Sequence, residues 1–357
     1  MLKRISGFII IAGFLFLLSG CPYGYRYDEG RFPSQPVNFA EVNSEYDDYN
    51  MASPVLEGHR YLYFSSNRNS HGGEYDIVGE NMQIYWDKDK GVLTIDKQSN
   101  PYVDHSYTDS LFLLVNTASD EFGPWSLPYL TYQQDQEPYL YFTDIIIFSN
   151  DVEGNLDLKF AWFGSWGESP KPEEGTYNGP QAISFLNSTA NDAYLTFYGP
   201  GFMNYGYYGL DPELITELLF CSNRDGKYNI YSSPVPPDST ILDFISGDTG
   251  TPISLIDVLN SDADDKCPYA NGDLLVFTSN RPGGFGGFDL YYSLREGDSW
   301  GSPVNFGEKI NTAYDEYRPI VMYESGFVNN LMLFSSNRPG GQGGYDLYYV
   351  GIPLMIY

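Results

Sequence analysis

Residues 333–349 read LFSSNRPGGQGGYDLYY, and residues 276–292 read VFTSNRPGGFGGFDLYY. The phrase returns in shorter form as YFSSNRNSHGGEYDI at 63–77 and FCSNRDGKYNIY at 220–231, and in a worn form as FSNDVEGNLDLKF at 148–160. A unit that recurs along a whole chain is one supersecondary element repeated, and it decides the architecture before any residue is read for chemistry. Each phrase reads as a hairpin. A run of aromatic and branched residues (Leu331 to Ser335) precedes a turn of Asn, Pro and Gly, and a second such run (Tyr345 to Val350) follows. The turn glycines suit positive φ, which other residues resist.

The flanks repeat as well. Residues 299–319 read SWGSPVNFGEKINTAYDEYRP, residues 252–268 carry PISLIDVLNSDADDKCP, residues 180–194 carry PQAISFLNSTANDAY, and residues 125–138 carry WSLPYL and then DQEP. One unit is therefore four short strands: one starting near an acidic pair, one ending at SNR, one reading GxDLYY and one reading WxxPVNF. Four antiparallel strands per unit is the make-up of a propeller blade. Five units start near Tyr46, Gln134, Asn191, Asp262 and Ala313. The fifth lacks a fourth strand, and residues 36–48, PVNFAEVNSEYDD, nearly copy residues 303–316, PVNFGEKINTAYDE. The expectation is an all-β, five-bladed β-propeller closed by its N-terminal strand, which removes open sheet edges. The extra sequence at 78–109 leaves room for a sixth blade.

The SNRxGGxGxxDLYY phrase resembles the WD-like propeller repeats of TolB-type proteins and of bacterial envelope lipoproteins. The resemblance covers about residues 36–357 and implies a propeller in the cell envelope with a role in assembly or ligand contact.

The first twenty residues read as an address. Lys3 and Arg4 precede an apolar run from Ile5 to Leu18, and Leu18-Ser19-Gly20-Cys21 matches a lipoprotein box. The domain plan is thus a signal peptide at 1–20, a lipidated tether at 21–35 with Cys21 as the acylated residue, and a propeller at 36–357. The membrane is reached through that N-terminal lipid. Pro22 after the cysteine favours the outer membrane, with either face open.

Composition agrees with a strand-rich body: 33 Tyr, 23 Phe and 37 Gly suit strands and turns. The formal net charge of −28 repels nucleic acid and anionic lipid, so a phosphate-tracking role is excluded. Beyond Cys21 only Cys221 and Cys267 remain, and two buried thiols is the preferred reading over a bridge.

The acidic positions before the first strand of each unit form the main constellation: Asp47 and Asp48, Asp135 and Glu137, Asp192, Asp264 and Asp265, and Asp315 and Glu316, with Asp48, Asp135, Asp192, Asp265 and Glu316 as the candidate ring. In a closed ring they converge on one mouth of the channel, where oxygen ligands suit Ca²⁺. The preferred reading is structural ion pairing. The SNR arginines should share that face, and they have a second candidate partner in the Asp of GxDLYY, giving the pairs Arg68 with Asp76, Arg281 with Asp289 and Arg338 with Asp346. Apart from that cation no cofactor is expected. Aromatics in irregular segments are candidate contacts to a sugar face or a protein partner: Trp86, Trp162, Trp166, Phe202, Tyr205, Tyr207 and Tyr208.

Hydrolase signatures are scarce. Gly164-Ser165-Trp166-Gly167 has the wrong spacing for a nucleophile elbow, and His59, His71 and His105 lack a metal-ligand spacing. A glycosidase needs two carboxylates flanking the bond. Most carboxylates here sit at equivalent repeat positions, which suggests structure, and a catalytic set would more often break the repeat. The expectation is accordingly a non-catalytic outer-membrane lipoprotein whose propeller holds an envelope protein partner. Glycan binding through the aromatic loops is the first alternative, and a five-bladed glycoside hydrolase the second.

Overall fold

The computed structural model describes residues 26–53, 55–56, 59–97, 106–132, 140–152, 154–202, 210–248 and 250–355. The chain is an all-β, five-bladed propeller, and its N-terminal strand closes the ring. The first strand, β1 (Val37–Asn38), belongs to the last blade. Blade 1 holds β2 (Asp48–Ala52), the short β3 (Val55–Leu56), β4 (His59–Ser66), β5 (Asp76–Asp87) and β6 (Val92–Lys97). A helix, α1 (Ser106–Val115), leads to blade 2: β7 (Glu121–Tyr132), β8 (Leu140–Asn150), β9 (Asp157–Trp166) and β10 (Thr176–Ala182). Blade 3 is β11 (Asp192–Tyr198), β12 (Glu217–Ser222) and β13 (Asn229–Pro234), then α2 (Ile241–Ser246) and β14 (Ser254–Leu255). Blade 4 is β15 (Asp265–Asn271), β16 (Leu274–Ser279) and β17 (Asp289–Glu296), edged by β18 (Ser299–Trp300) and β19 (Val304–Asn305). Blade 5 is β20 (Glu316–Met322), β21 (Asn329–Ser336) and β22 (Asp346–Pro353). Its fourth strand is β1, which pairs Val37 with Tyr349 and Asn38 with Tyr348.

Two expectations are corrected at this level. The 78–109 segment makes no blade of its own among the described residues; it supplies most of β5, all of β6 and the start of α1. The second unit starts at Glu121, not near Gln134. The signal was in the chain: NTASDEFGP at 116–124 matches NTAYDEYRP at 311–319.

One sequence device joins every blade to the next. The stretches VNSEYDD (42–48), VNTASDE (115–121), LNSTAND (186–192), LNSDADD (259–265) and INTAYDE (310–316) each precede an innermost strand. Their asparagines imitate a strand. Asn43, Asn116, Asn187, Asn260 and Asn311 accept a backbone N–H through Oδ1 and donate to the carbonyl of the same residue. Those residues are Leu347, Ile77, Leu158, Ile230 and Leu290, each on the third strand of the preceding blade. The Asn43–Leu347 pair is the copy that closes the ring.

Aromatic and branched residues of successive blades pack between the sheets, and α1 fills the gap between blades 1 and 2 with Tyr107, Leu111 and Val115. Phe32, inside the stretch read as a tether, is fully buried and stacks on Phe327 with ring centroids 4.2 Å apart. The PGGxGG loops need glycine for closeness rather than for φ alone. A Cβ at Gly343 would lie 1.8 Å from the Tyr46 carbonyl oxygen of the adjoining blade. Cys221 and Cys267 are buried free thiols. No helix among the described residues is long and apolar enough to cross a membrane.

Candidate functional site

The five innermost strands open on one mouth, and the last two positions of each linking stretch reach it, both acidic except in blade 3, where Asn191 precedes Asp192. The second of the two, at the strand start, is Asp48, Glu121, Asp192, Asp265 or Glu316, each with no exposed surface. Its carboxylate accepts the N–H and the hydroxyl of the Ser or Thr four residues earlier: Thr117 at 3.1 and 2.7 Å for Glu121, and Thr312 at 2.8 and 2.6 Å for Glu316. In four blades the SNR arginine completes the site. Arg68 reaches Asp48 at 2.5 Å, Arg224 Asp192 at 2.6 Å, Arg281 Asp265 at 2.6 Å and Arg338 Glu316 at 2.9 Å. Each guanidinium also donates to the carbonyl of Val42, Leu186, Leu259 or Ile310 and lies over the Phe of its own strand.

This geometry corrects the pairing drawn from sequence offset. Asp76, Asp289 and Asp346 are not the arginines' partners. Asp289 instead takes the N–H groups of Phe285 and Gly286, and Asp346 those of Gln342 and Gly343, so each pins its own glycine turn. Asp76 accepts from Asn69. The proposed Ca²⁺ ring is also not formed. Asp48, Asp192, Asp265 and Glu316 are each consumed within a blade, Asp135 lies outside the described residues, and no group of three or more His, Cys, Asp or Glu among the described residues could hold a metal ion.

The member of the set that sequence reasoning missed is Glu121. Its blade carries FSNDV where blade 1 carries FSSNR, so Val152, half exposed, stands where the arginine would be. Without a cation, burial pushes the Glu121 carboxyl up to about 7, against the Thr117 donors that pull it down. Deeper in the same blade, burial raises Asp144 to about 6, and Ser126 Oγ at 2.7 Å and Tyr107 Oη at 3.2 Å donate to it.

The first of the two positions faces the mouth itself. It is Asp47, Asp120, Asn191, Asp264 or Asp315, all half-buried. Its backbone N–H binds Asn67, Asp151, Asn223, Asn280 or Asn337 of its own blade. Its side-chain Oδ1 receives the N–H of a residue on the preceding blade: Tyr345, Tyr75, Leu156, Tyr228 or Phe288, at 2.8–2.9 Å. The second oxygen differs between blades. Tyr75 Oη donates to Asp47 at 2.6 Å, and Tyr345 Oη donates to Asp315 at 3.0 Å. Asp120 and Asp264 have no such partner among the described residues.

Below the aspartates lies an aromatic floor. Tyr49 packs on Phe122, Tyr317, Tyr345 and Tyr75 with centroids 5.2–5.9 Å apart. Lys266 holds its Nζ 4.0 Å over Tyr228 and 5.1 Å from Phe288. Burial raises the phenols: Tyr49 to about 12, and Tyr75 and Tyr345 further. They stay neutral and serve as donors at any working pH.

The candidate contact aromatics are placed differently from one another. Phe202 is fully buried core beside Trp125 and Phe197. Trp86 donates its Nε1–H to the Tyr27 carbonyl and meets Phe327 edge-on. Trp162 packs on the core, and Trp166 meets Tyr141 edge-on at 5.0 Å. Tyr205, Tyr207 and Tyr208 lie outside the described residues, as does Cys21.

No family model matches the chain, and no curated protein matches it. Solved structures do. BT0996, solved as an RGII complex, superposes with a TM-score of 0.50 at 8% identity, covering 92% of this protein and 94% of that one. A GH62 hydrolase in complex with xylotriose gives 0.47 at 11%, covering 92% and 98%. An exo-β-1,3-galactanase from Clostridium thermocellum gives 0.44 at 11%, covering 90% of this protein, which spans 63% of the galactanase chain. At these identities the likeness is one of fold. The WD-like, TolB-type resemblance is not what the comparisons return: the structures matched along the chain are named as a galactanase, a GH62 hydrolase and an arabinofuranosidase. Where the expectation was a non-catalytic protein-binding platform without enzymatic activity, the proteins matched by fold carry hydrolase names.

Proposed function

We propose that the protein is a glycoside hydrolase that works at the mouth of its propeller. The observation that carries this is the ring of four aspartates, Asp47, Asp120, Asp264 and Asp315, above an aromatic floor, with Asp120 and Asp264 each keeping one oxygen without a partner among the described residues. Glycoside hydrolysis needs one carboxyl to protonate the leaving oxygen and another to act on the opposite side of the sugar. Asp120 on blade 2 and Asp264 on blade 4 come from non-adjacent blades, so they approach a bound ring from two sides. The tyrosine faces offer apolar surface to a sugar, and the Tyr75 and Tyr345 hydroxyls, whose protons go to Asp47 and Asp315, keep lone pairs to accept from it. The fold shared with five-bladed glycoside hydrolases supports the same reading.

The test is turnover on a panel of plant and bacterial polysaccharides and aryl glycosides. Asp120→Asn and Asp264→Asn should each lower kcat by about 10²- to 10⁴-fold with the fold retained. Retention of a glycan without turnover would reduce the mouth to a binding site, and the absence of both retention and turnover would overturn the proposal.

The proposal also anchors the protein to the outer membrane through acylated Cys21. The order of Lys3-Arg4, apolar run and Leu18-Ser19-Gly20-Cys21 supports it. Cys21→Ser should abolish incorporation of labelled palmitate; unchanged labelling would count against it.

A further inference from the structure

The innermost strand of every blade bulges at its third residue. Asn50, Gly123, Tyr194, Cys267 and Arg318 occupy that position, all with φ between 50° and 61°. The pairing register shifts there in each blade, so the position turns out of the sheet toward the axis. In blade 5 it carries Arg318, among the largest fully buried side chains in the molecule.

Arg318 has no counter-ion among the described residues. Among the described residues no carboxylate lies within 4.0 Å of its guanidinium. Nη1 and Nη2 reach the carbonyl oxygens of Pro268 and Pro124, at 3.4 Å each, and Nε has no hydrogen-bond partner. The Tyr194 ring lies 5.5 Å from Cζ. The neighbouring Cys267 thiol cannot supply the charge, because burial holds it well above its ordinary range. A guanidinium does not escape by losing its proton. A buried cation without a partner is strongly disfavoured, and an orphaned buried donor calls for an unseen water or ion.

We propose that a small monovalent anion, chloride under cellular conditions, sits on the propeller axis against the Nε edge of Arg318. The two carbonyls already occupy the Nη side, so the Nε edge is the one left for it. Asn50 Oδ1 is likewise buried without a partner, while Asn50 Nδ2 donates to Tyr194 Oη at 3.1 Å. A water beside the anion would satisfy that acceptor.

Bromide is the probe. Crystals of the intact protein soaked in sodium bromide should give an anomalous peak in contact with Arg318, and a peak-free axis holding only water would overturn the proposal. In solution the melting temperature should rise in sodium chloride relative to sodium gluconate at equal ionic strength, and Arg318→Met should lose that difference. An equal difference in both proteins would remove the anion from Arg318. Should the variant fail to fold, the bromide experiment on the unaltered protein still decides.

Discussion

Glu121 shows how much one missing cation changes. Four of the five strand-start carboxyls have an arginine; Glu121 has Val152 in its place, and burial holds it near 7 instead of 4.5. Below about pH 4.5 it is protonated in both folded and unfolded chains and adds no pH dependence. Between about 4.5 and 7 the unfolded chain sheds the proton while the folded one keeps it, so stability falls as pH rises, and the full penalty stands above that window. Glu121→Gln should therefore gain on the parent by about 1–3 kcal/mol between pH 4.5 and 8. Denaturant titrations across that range would show it, and a pH-independent difference would remove Glu121 as the cause. Val152→Arg should restore the missing pair and stabilise the protein above neutral pH by about 1 kcal/mol, the scale of a charge-assisted hydrogen bond set against side-chain ordering. The same titrations check it, and the Glu121-dependent slope should shrink with it.

The hairpin phrase was legible at the scale of the element because its punctuation is chemical: SNR, paired glycines and an aspartate recur at fixed places. What spacing could not give was the arginine's partner. Arg281 and Asp289 share a repeat offset, but the sheet register sets Asp265 opposite Ser279, and only three dimensions bring that carboxylate under the guanidinium. Blade 2 was misplaced for a related reason. Its SNR phrase had decayed, and the intact NTASDE stretch was hidden at the end of an irregular insert. Asp47, Asp264 and Asp315 were legible only as members of acidic pairs, because sequence alone does not say which of two adjacent carboxyls faces inward, and Asp120 was missed together with its blade. The pairing is open to a double-mutant cycle. Arg281→Ala should cost about 2–4 kcal/mol, because it strands a buried carboxylate. It should couple to Asp265→Asn and not to Asp289→Asn; the reverse pattern would restore the offset pairing.

The ring is held shut at two levels, and they can be separated. The inner level repeats between all blades: Asp48 N–H donates to the Tyr345 carbonyl, just as Glu121, Asp192, Asp265 and Glu316 donate to Tyr75, Leu156, Tyr228 and Phe288. The outer level exists only once, where β1, Phe32 and Phe39 lie against blade 5. Deleting the residues before Glu41 removes the outer level and leaves the inner one intact. Two fully buried phenylalanines and a strand edge are lost, which should lower stability by about 3–6 kcal/mol. The β22 edge, with backbone groups freed at Tyr349 and Gly351, then becomes a template for another chain. The shortened protein should melt at lower temperature and self-associate with rising concentration in sedimentation velocity, while the full chain stays at one size. If the shortened protein is equally stable and monomeric, the inner clamp alone closes the circle. The copy of the PVNF phrase at 36–39 would then be ornament on an already closed ring.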